Sequence, residues 1–254
     1  GVTGNAGDGG GGGVGRIHIT SNNINGITTP AADIASFNLL SPSASVTTGT
    51  GTDGSVAATA GTVNINTTNL ISGRSCADGG DAVNYSVSSL TSTTAVLSTT
   101  PASGCLAAND EIILINMQGT QNNNINVGNY ETLRIQSIST NTVTFTTGKT
   151  KFYGNNVGDD TNIGTSATTQ RVMLQRVPNY VNLTASAGAI LTASAWNGTK
   201  GGILFLRATG TVNNRGTITM AGNGYRGGAG GAAGAGGESY DSTGPAGASA
   251  APGR

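Results

Sequence analysis

The chain has 254 residues, of which 42 are glycine, and its 12 basic and 12 acidic residues give a formal net charge of zero. Because a nucleic-acid binder must offset phosphate charge with a basic surface, this balance argues against nucleic acid as a partner. Charged residues make up only 9% of the chain, which excludes the highly charged class of disordered protein. The polar residues are mainly Thr, Ser and Asn, which favour strands and turns, so the sequence predicts an all-β protein.

Glycine triplets run from Gly4 to Gly15, and a second tract of the same kind runs from Gly227 to Glu238. A period of three matches an extended polyproline-II-type helix, and glycine lets such helices approach and pair. The alternative is a flexible linker. If the tracts pack, they do so within one chain or between the end of one copy and the start of the next. The second arrangement is a head-to-tail contact, which builds filaments when it does not close.

The first strand candidate follows the first tract. Arg16-Ile17-His18-Ile19-Thr20 alternates, so Ile17 and Ile19 are expected to face a core and the other three to face outward. His18 is the only histidine in the chain, and no Gly-x-Ser-x-Gly elbow flanks it. We therefore interpret it as a surface residue rather than a catalytic base. One histidine and two distant cysteines also argue against a zinc site.

The middle of the chain predicts a separate β module over residues 74–180. Within it we expect a buried strand over 111–116, a hairpin whose turn lies at 139–141, and a strand over 171–177 that Pro178 ends. On the two sides of this module we expect a glycine tract with a β segment over the first 73 residues, and a β segment with a glycine-rich tract from residue 181 onward.

The two cysteines, Cys76 and Cys105, fall inside this middle module. An even cysteine count with a Thr/Ser/Asn-rich surface is typical of an oxidising compartment. A bridge between them would stabilise the fold by roughly 3.5 kcal/mol in the chain-entropy model. The alternative is two unrelated buried thiols.

A six-residue echo marks the last β block, where residues 210–212 (Gly-Thr-Val) are followed by 216–218 (Gly-Thr-Ile). This strand–turn–strand rhythm is typical of solenoid rungs, although a plain hairpin gives the same pattern. The predicted fold is therefore all-β, a β-sandwich or short β-solenoid modules, with polyglycine-II-like tracts at both ends.

The densest group of oxygen ligands lies in the loop 155–162. Calcium prefers such ligands, and the candidates are Asn155, Asp159, Asp160 and Asn162. Their spacing is not that of an EF-hand, and the alternative is an Asx-rich turn. Asp78 and Asp81, beside Cys76, are a weaker pair of the same type. Calcium is thus the one cofactor that the sequence suggests.

Carboxylates are few, and they give little sign of catalysis. Asp110 and Glu111 are neighbours at a strand start, so their side chains point to opposite faces. A glycosidase needs two carboxylates in one cleft. We therefore predict that the chain is not an enzyme, while a lyase or hydrolase site built from distant solenoid rungs is the alternative.

Two further sets of residues suggest contacts with sugars. Exposed aromatic rings could stack on a glycan, and the candidates are Trp196, Tyr153 and Tyr225; the alternative for each is a place in the core. Asn-x-Ser/Thr sequons mark candidate glycosylation sites at Asn66, Asn84, Asn182 and Asn197.

The runs 9–19 (Gly-rich, then Arg-Ile-His-Ile) and 210–218 resemble pieces of large, glycine-rich, repetitive bacterial surface proteins, including adhesins of the filamentous-haemagglutinin type. The glycine triplets are similar to the polyglycine tracts of some phage tail adhesins. This resemblance covers only the two ends of the chain. It implies an extracellular, structural or adhesive role and transfers no catalytic residues.

The apolar runs 112–115 and 203–206 are too short to span a bilayer. With Gly1 rather than Met in first position, we expect a processed chain or a piece of a longer one, placed outside the cell or at its surface. Lys and Pro, which guard open strand edges, are rare. The leading hypothesis is therefore a subunit of a self-assembling surface fibre or sheath, a head-to-tail homo-oligomer. The alternative is an adhesin module that binds a cell-surface carbohydrate or receptor.

Overall fold

The computed structural model describes residues 15–29, 33–36 and 48–225. These residues hold strands and no helix, which confirms the all-β prediction. Nearly all of both glycine tracts lies outside the described residues. The strands are β1 (Arg16–Asn25), β2 (Thr28–Thr29), β3 (Asp33–Ser36), β4 (Val56–Ala58), β5 (Gly61–Asn64), β6 (Asn84–Leu90), β7 (Thr94–Leu97), β8 (Glu111–Gln118), β9 (Tyr130–Ser139), β10 (Thr142–Phe145), β11 (Arg171–Arg176), β12 (Asn179–Tyr180), β13 (Leu183–Ala185), β14 (Ala189–Thr192), β15 (Ile203–Asn214) and β16 (Thr217–Thr219).

Four strand–turn–strand units stack into a short parallel β-solenoid. They are β1–β2, β4–β5, β13–β14 and β15–β16. In each unit the first strand joins one sheet, in the order β3-β1-β15-β13-β4, and the second strand joins another, in the order β2-β16-β14-β5. The first unit along the chain therefore lies beside the fourth, and the second unit lies at the far edge beside the third.

Matching apolar residues stack in register from rung to rung. Val56, Leu183 and Val212 share one column, and they are buried in the core between the two sheets. Ile17 and Ile19 point into the same core, with 3% and 0% of their surface exposed. Their predicted orientation is confirmed, because each rung contributes its apolar face to one shared interior.

The echo over 210–218 forms a corner of the solenoid and not a hairpin. β15 and β16 lie in different sheets and pair with strands of other rungs. Gly216 sits at this corner, where an added Cβ would lie 2.3 Å from the carbonyl oxygen of Ala189 and 2.4 Å from that of Ser186. The backbone of the neighbouring rung is therefore too close for any side chain at this position.

A closed six-stranded barrel is inserted between the second and third rungs. It comprises β6 to β11, in the order β10-β7-β6-β11-β8-β9, and all of its strand pairs are antiparallel. The predicted hairpin is confirmed, since β9 and β10 pair with Ser139 opposite Thr142. Thr140 makes the turn at a φ of 52°. Apolar side chains fill the barrel interior.

The outside of the barrel packs against the outside of the solenoid. Ile113 and Met173 of the barrel meet Ile203 and Phe205 of β15 in a small apolar cluster. This contact explains why β8 and β11 are buried along almost their whole length. It also corrects the expectation for Thr20, which is completely buried although its strand face was predicted to meet solvent.

His18 lies at the margin of this contact and is partly buried rather than fully on the surface. Its ring stacks on that of Phe205, with centroids 4.4 Å apart and planes 14° apart. Its Nε2 atom is 3.1 Å from the Thr20 hydroxyl. The histidine therefore extends the packing between strands.

We expect Gly216→Ala to lower the free energy of unfolding by about 1–3 kcal/mol, because the new methyl group forces two rungs apart. Gly148→Ala is the control, since its nearest heavy atom to an added Cβ, the Ser92 carbonyl oxygen, is 3.5 Å away. Urea denaturation followed by circular dichroism measures both variants. Equal stability of the two variants would contradict the close stacking at this corner.

Candidate functional site: the loop seam of the barrel

Two long loops meet at one end of the barrel. One joins β8 to β9 over residues 119–129, and the other joins β10 to β11 over residues 146–170. The two loops are neighbours because β8, which leads into the first loop, pairs with both β9 and β11, and β11 follows the second loop. We call the surface formed by residues 119–130 and 149–170 the loop seam.

Side-chain amides fasten the two loops to each other. Gln170 Nε2 donates to the carbonyl oxygen of Asn123 at 2.7 Å, and Asn126 Nδ2 donates to that of Asn156 at 2.7 Å. Gln170 is fully buried and Asn126 nearly so. Buried amides with satisfied hydrogen bonds fix a loop in one conformation, so the seam is a shaped surface although it is built almost wholly from loops.

The seam also exposes large apolar side chains. Seven such residues are exposed in the described part of the chain, and four of them lie here: Ile125 (62% exposed), Tyr130 (46%), Phe152 (43%) and Val157 (82%). Lys149 Nζ lies 4.7 Å from the centre of the Phe152 ring. Because exposed large apolar side chains are few in the described residues, their concentration in these two loops makes the seam the candidate binding surface.

A cleft of about 340 Å³, lined by uncharged residues, opens between the same loops. One wall is formed by residues 120–123, and the other by Asn162, Ala167 and Thr168. No charged side chain lines it. The cleft thus offers amide and hydroxyl groups on the same loops that expose the four apolar side chains.

The calcium candidates lie in this seam, and other groups of the chain occupy their oxygens. Asn155 Oδ1 accepts a hydrogen bond from Gln170 Nε2 at 3.0 Å. Asp160 accepts one from the backbone of Tyr153 at 3.1 Å and forms an ion pair with Lys149. Asn162 uses its amide nitrogen to bind the carbonyl oxygen of Thr168 at 2.8 Å.

Asp159 makes an Asx-type turn of its own. It accepts hydrogen bonds from the backbone of Asn156 at 3.1 Å and from the Thr161 hydroxyl at 3.0 Å. Desolvation would raise the pKa of Asp159, but the hydrogen bonds from Asn156 and Thr161 outweigh it and lower the pKa. Within the described residues no group of three His, Cys, Asp or Glu side chains could hold a metal ion. Calcium stays a prediction.

The rings predicted to contact a glycan are largely in the core. Tyr153 has no exposed surface and Trp196 only 2%, so neither side chain can stack on a sugar, and the structure corrects that expectation. Tyr225 is partly buried and meets Trp196 edge-on, with centroids 6.2 Å apart.

The sequence patterns did not predict the two rings that are exposed, Tyr130 and Phe152. Strand alternation held the signal for Tyr130, since it has the opposite parity to the inward-facing Leu133 and Ile135. No comparable pattern marks Phe152, because its position depends on how the loop folds back.

The four glycosylation candidates divide into two groups. Asn66 and Asn84 are buried, with 4% and 6% of their surface exposed, and Asn66 Nδ2 already donates to the carbonyl oxygen of Ala82 at 2.6 Å. Neither can present its amide to a glycosyltransferase in the folded chain. Asn182 and Asn197 are exposed, and they remain candidates.

The disulfide between Cys76 and Cys105 is present, in agreement with the prediction, and its sulfur atoms are 2.02 Å apart. A second cleft, of about 520 Å³, lies beside it and includes Arg74 in its lining. The Arg74 guanidinium is engaged by Asp110 at 3.3 Å and by the carbonyl oxygen of Cys105. The positive charge of Arg74 is therefore already paired with a carboxylate of the same chain.

Asp110 and Glu111 take part in ion pairs between elements rather than facing a cleft together. Arg176 pairs with Asp110 at 2.9 Å and with Asp53 at 2.6 Å, and Glu111 pairs with Arg207 at 2.8 Å. Burial alone would lower the pKa of Arg176, but the two carboxylates outweigh burial and raise it. The Arg176–Asp53 and Glu111–Arg207 pairs join the barrel to the solenoid.

Asp81 and Tyr180 form a buried pair next to these ions. The Tyr180 hydroxyl donates to Asp81 at 2.8 Å, and the backbones of Leu70 and Ile71 donate to the same carboxylate at 3.1 and 3.2 Å. Burial raises the pKa of Tyr180 well above its ordinary value. Burial also raises the pKa of Asp81 above 3.8, against the lowering effect of its hydrogen bonds. Neither Asp81 nor Asp78, which accepts from Tyr85 at 2.8 Å, faces a cluster of ligands.

No family model and no curated protein matches the chain. Three solved structures are similar, and all are phage tailspikes. The tailspike of Pseudomonas phage phi297 is 16% identical with a TM-score of 0.23, and the match covers 44% of this chain and 19% of that one. The tailspike of Acinetobacter baumannii bacteriophage AP22 was solved in complex with A. baumannii capsular saccharide. It is 12% identical with a TM-score of 0.26, and the match covers 65% of this chain and 27% of that one.

The tailspike of Pseudomonas phage LKA1 is 14% identical with a TM-score of 0.22, covering 63% of this chain and 34% of that one. The chain therefore spans between 19% and 34% of the length of these tailspikes. The part of the chain that the structure describes holds no helix with the length and hydropathy needed to cross a membrane.

We expect the difference in free energy of unfolding between the protein and its Asp81→Asn variant to shift against the protein as the pH rises. The raised pKa of Asp81 means that the folded state holds this proton more tightly than the unfolded state. The stabilisation that comes from this proton is fully present below pH 3.8, the ordinary pKa of an aspartate side chain. It is lost as the pH rises through the pKa of Asp81 in the folded state. Asparagine does not titrate and keeps an oxygen for Leu70 and Ile71.

Urea denaturation of both proteins, at pH values below and well above 3.8, measures this difference. Asp78→Asn controls for the loss of one negative charge, since the asparagine oxygen can still accept the hydrogen bond from Tyr85. A stability difference between the protein and Asp81→Asn that stays constant with pH would contradict the argument.

Proposed function

We propose that this chain is an extracellular, glycan-binding adhesin module and that the saccharide binds at the loop seam. The observation that carries the proposal is that Tyr130, Phe152, Ile125 and Val157 are exposed on the seam, whose loops also form a cleft of amides and hydroxyls. The disulfide supports placement in an oxidising compartment outside the cell.

A saccharide presents two kinds of surface, and the seam matches both. The flat C–H face of a pyranose ring packs on an exposed aromatic ring, which supplies apolar area at little entropic cost. Its hydroxyl groups need donors and acceptors, which amide side chains provide together. Because the loops are fastened by buried amides such as Asn126 and Gln170, little order has to be gained on binding.

We expect Phe152→Ala and Tyr130→Ala each to weaken saccharide binding about tenfold. Both rings are exposed, so the thermal midpoint should change little. Glycan-array binding followed by calorimetry on the strongest saccharide measures the effect. Ile190→Ala, which shortens an exposed apolar residue (38%) of the solenoid, should bind as the parent chain does.

Full retention of affinity in both aromatic variants would contradict a site at the seam. The same saccharide, incubated with the protein and analysed for cleaved products, separates binding from turnover. Product formation would show that the chain is an enzyme as well as a binder.

A second candidate function is a subunit of a self-assembling surface fibre, and one observation favours it. β4 and β5 are the edge strands of the two solenoid sheets. Residues 54–73, which contain both, include no charged residue and no proline. Because Lys and Pro are what usually keep parallel edges from pairing, this edge is suited to stacking on another copy.

We expect Thr62→Lys to abolish any filaments that the parent chain forms, because Thr62 is exposed on the edge strand β5 and a lysine there disfavours strand pairing. Thr217→Lys is the matched control, since Thr217 is exposed on β16, an inner strand of the same sheet. Electron microscopy and sedimentation over a concentration series detect assembly. A parent chain that is monomeric at every concentration would eliminate this second candidate.

A further inference from the structure

We propose that the seam cleft selects uncharged saccharides, recognising their hydroxyl and amide groups, and excludes acidic ones. This inference rests on the proposed glycan-binding function and names the class of ligand. It starts from the composition of the cleft, whose lining residues are Thr, Gln, Asn and Ala and carry no charge.

One wall of the cleft carries uncommitted amides. Within the described residues, the side chains of Gln121, Asn122 and Asn123 make no hydrogen bond, while the backbones of Thr120 and Asn123 exchange two, at 3.0 and 3.1 Å. The backbone of this wall is therefore fixed, and three neighbouring amides remain available as donors and acceptors. Such amides can satisfy a sugar hydroxyl, which both donates and accepts.

The opposite wall is locked in place. Asn162 has a φ of 57°, and its Nδ2 atom donates to the carbonyl oxygen of Thr168 at 2.8 Å and to Asn155 Oδ1 at 3.3 Å. The same Asn155 oxygen accepts from Gln170 below. The two walls are thus tied to one buried amide framework, which fixes the width of the cleft.

Two charged residues near the cleft are engaged within the chain, and exposed Lys151 belongs to the seam but does not line the cleft. Arg171 is 9% exposed and donates to Gln118 and to the carbonyl oxygen of Ser166. Asp160 is paired with Lys149. An acidic sugar entering the cleft would lose hydration around its carboxylate and meet no counter-charge, which is costly. An uncharged sugar exchanges its water hydrogen bonds for amide hydrogen bonds at no such cost.

The test is an array of neutral polysaccharides (dextran, mannan and galactan) and acidic ones (alginate, polygalacturonate and hyaluronan), probed with the full chain. We expect binding to neutral members only, with an affinity that changes less than about twofold with added salt, since no ion pair forms. Asn122→Asp and Gln121→Glu place a charge in the cleft without changing its shape, and we expect each to weaken binding roughly tenfold.

Asn197→Asp is the matched control, because Asn197 is exposed outside the seam and accepts hydrogen bonds through an oxygen that aspartate keeps, and it should bind normally. Strongest binding to an acidic polysaccharide, falling steeply with salt, overturns the inference while leaving glycan binding intact. Normal binding by Asn122→Asp and Gln121→Glu also overturns it, because the site would then lie elsewhere. Failure of the parent chain to bind any member overturns the proposed function itself.

Discussion

The contact between the barrel and the solenoid is the constraint on which the rest of the structure depends. β15 is the longest strand of the solenoid, and its outer face carries Phe205 and Ile203 into an apolar cluster with the barrel. Around that cluster Glu111 pairs with Arg207. Buried ion pairs add little net stability, but removing one partner costs about 3–5 kcal/mol. The Glu111–Arg207 pair therefore sets the orientation of the barrel on the solenoid more than it raises the free energy of unfolding.

The same two barrel strands carry both this contact and the loop seam. β8 starts at Glu111 in the ion pair and ends at Gln118, where the first seam loop begins. β11 starts at Arg171, where the second seam loop ends, and finishes at Arg176, which pairs with Asp53 and Asp110. Because both strands are buried between the barrel core and the solenoid, the loops they hold start from rigid positions. A binding surface on loops needs such a scaffold.

Side-chain amides hold the loops of this chain in place, a role that charged side chains have in most proteins. Few charged residues are present, and those at the junction are paired. Loops are instead held by buried Asn and Gln side chains, among them Asn116, which donates to Gln170 at 2.9 Å and to the carbonyl oxygen of Tyr153 at 3.0 Å. An amide network of this kind holds the loops without adding charge to the cleft, so the asparagine-rich composition shapes both the fold and the chemistry of the seam.

Local patterns determined the strands, the 133–145 hairpin and the disulfide partners, because alternation, turn residues and an even cysteine count act over short distances. Only the tertiary structure decided which faces are covered. Thr20 is buried because the barrel lies over its strand, Tyr153 is buried because its ring enters the barrel core, and Phe152 is exposed because a long loop folds back. The 210–218 echo was equally compatible with a hairpin, since strand pairing across nearly two hundred residues, such as β1 with β15, leaves no mark on local sequence.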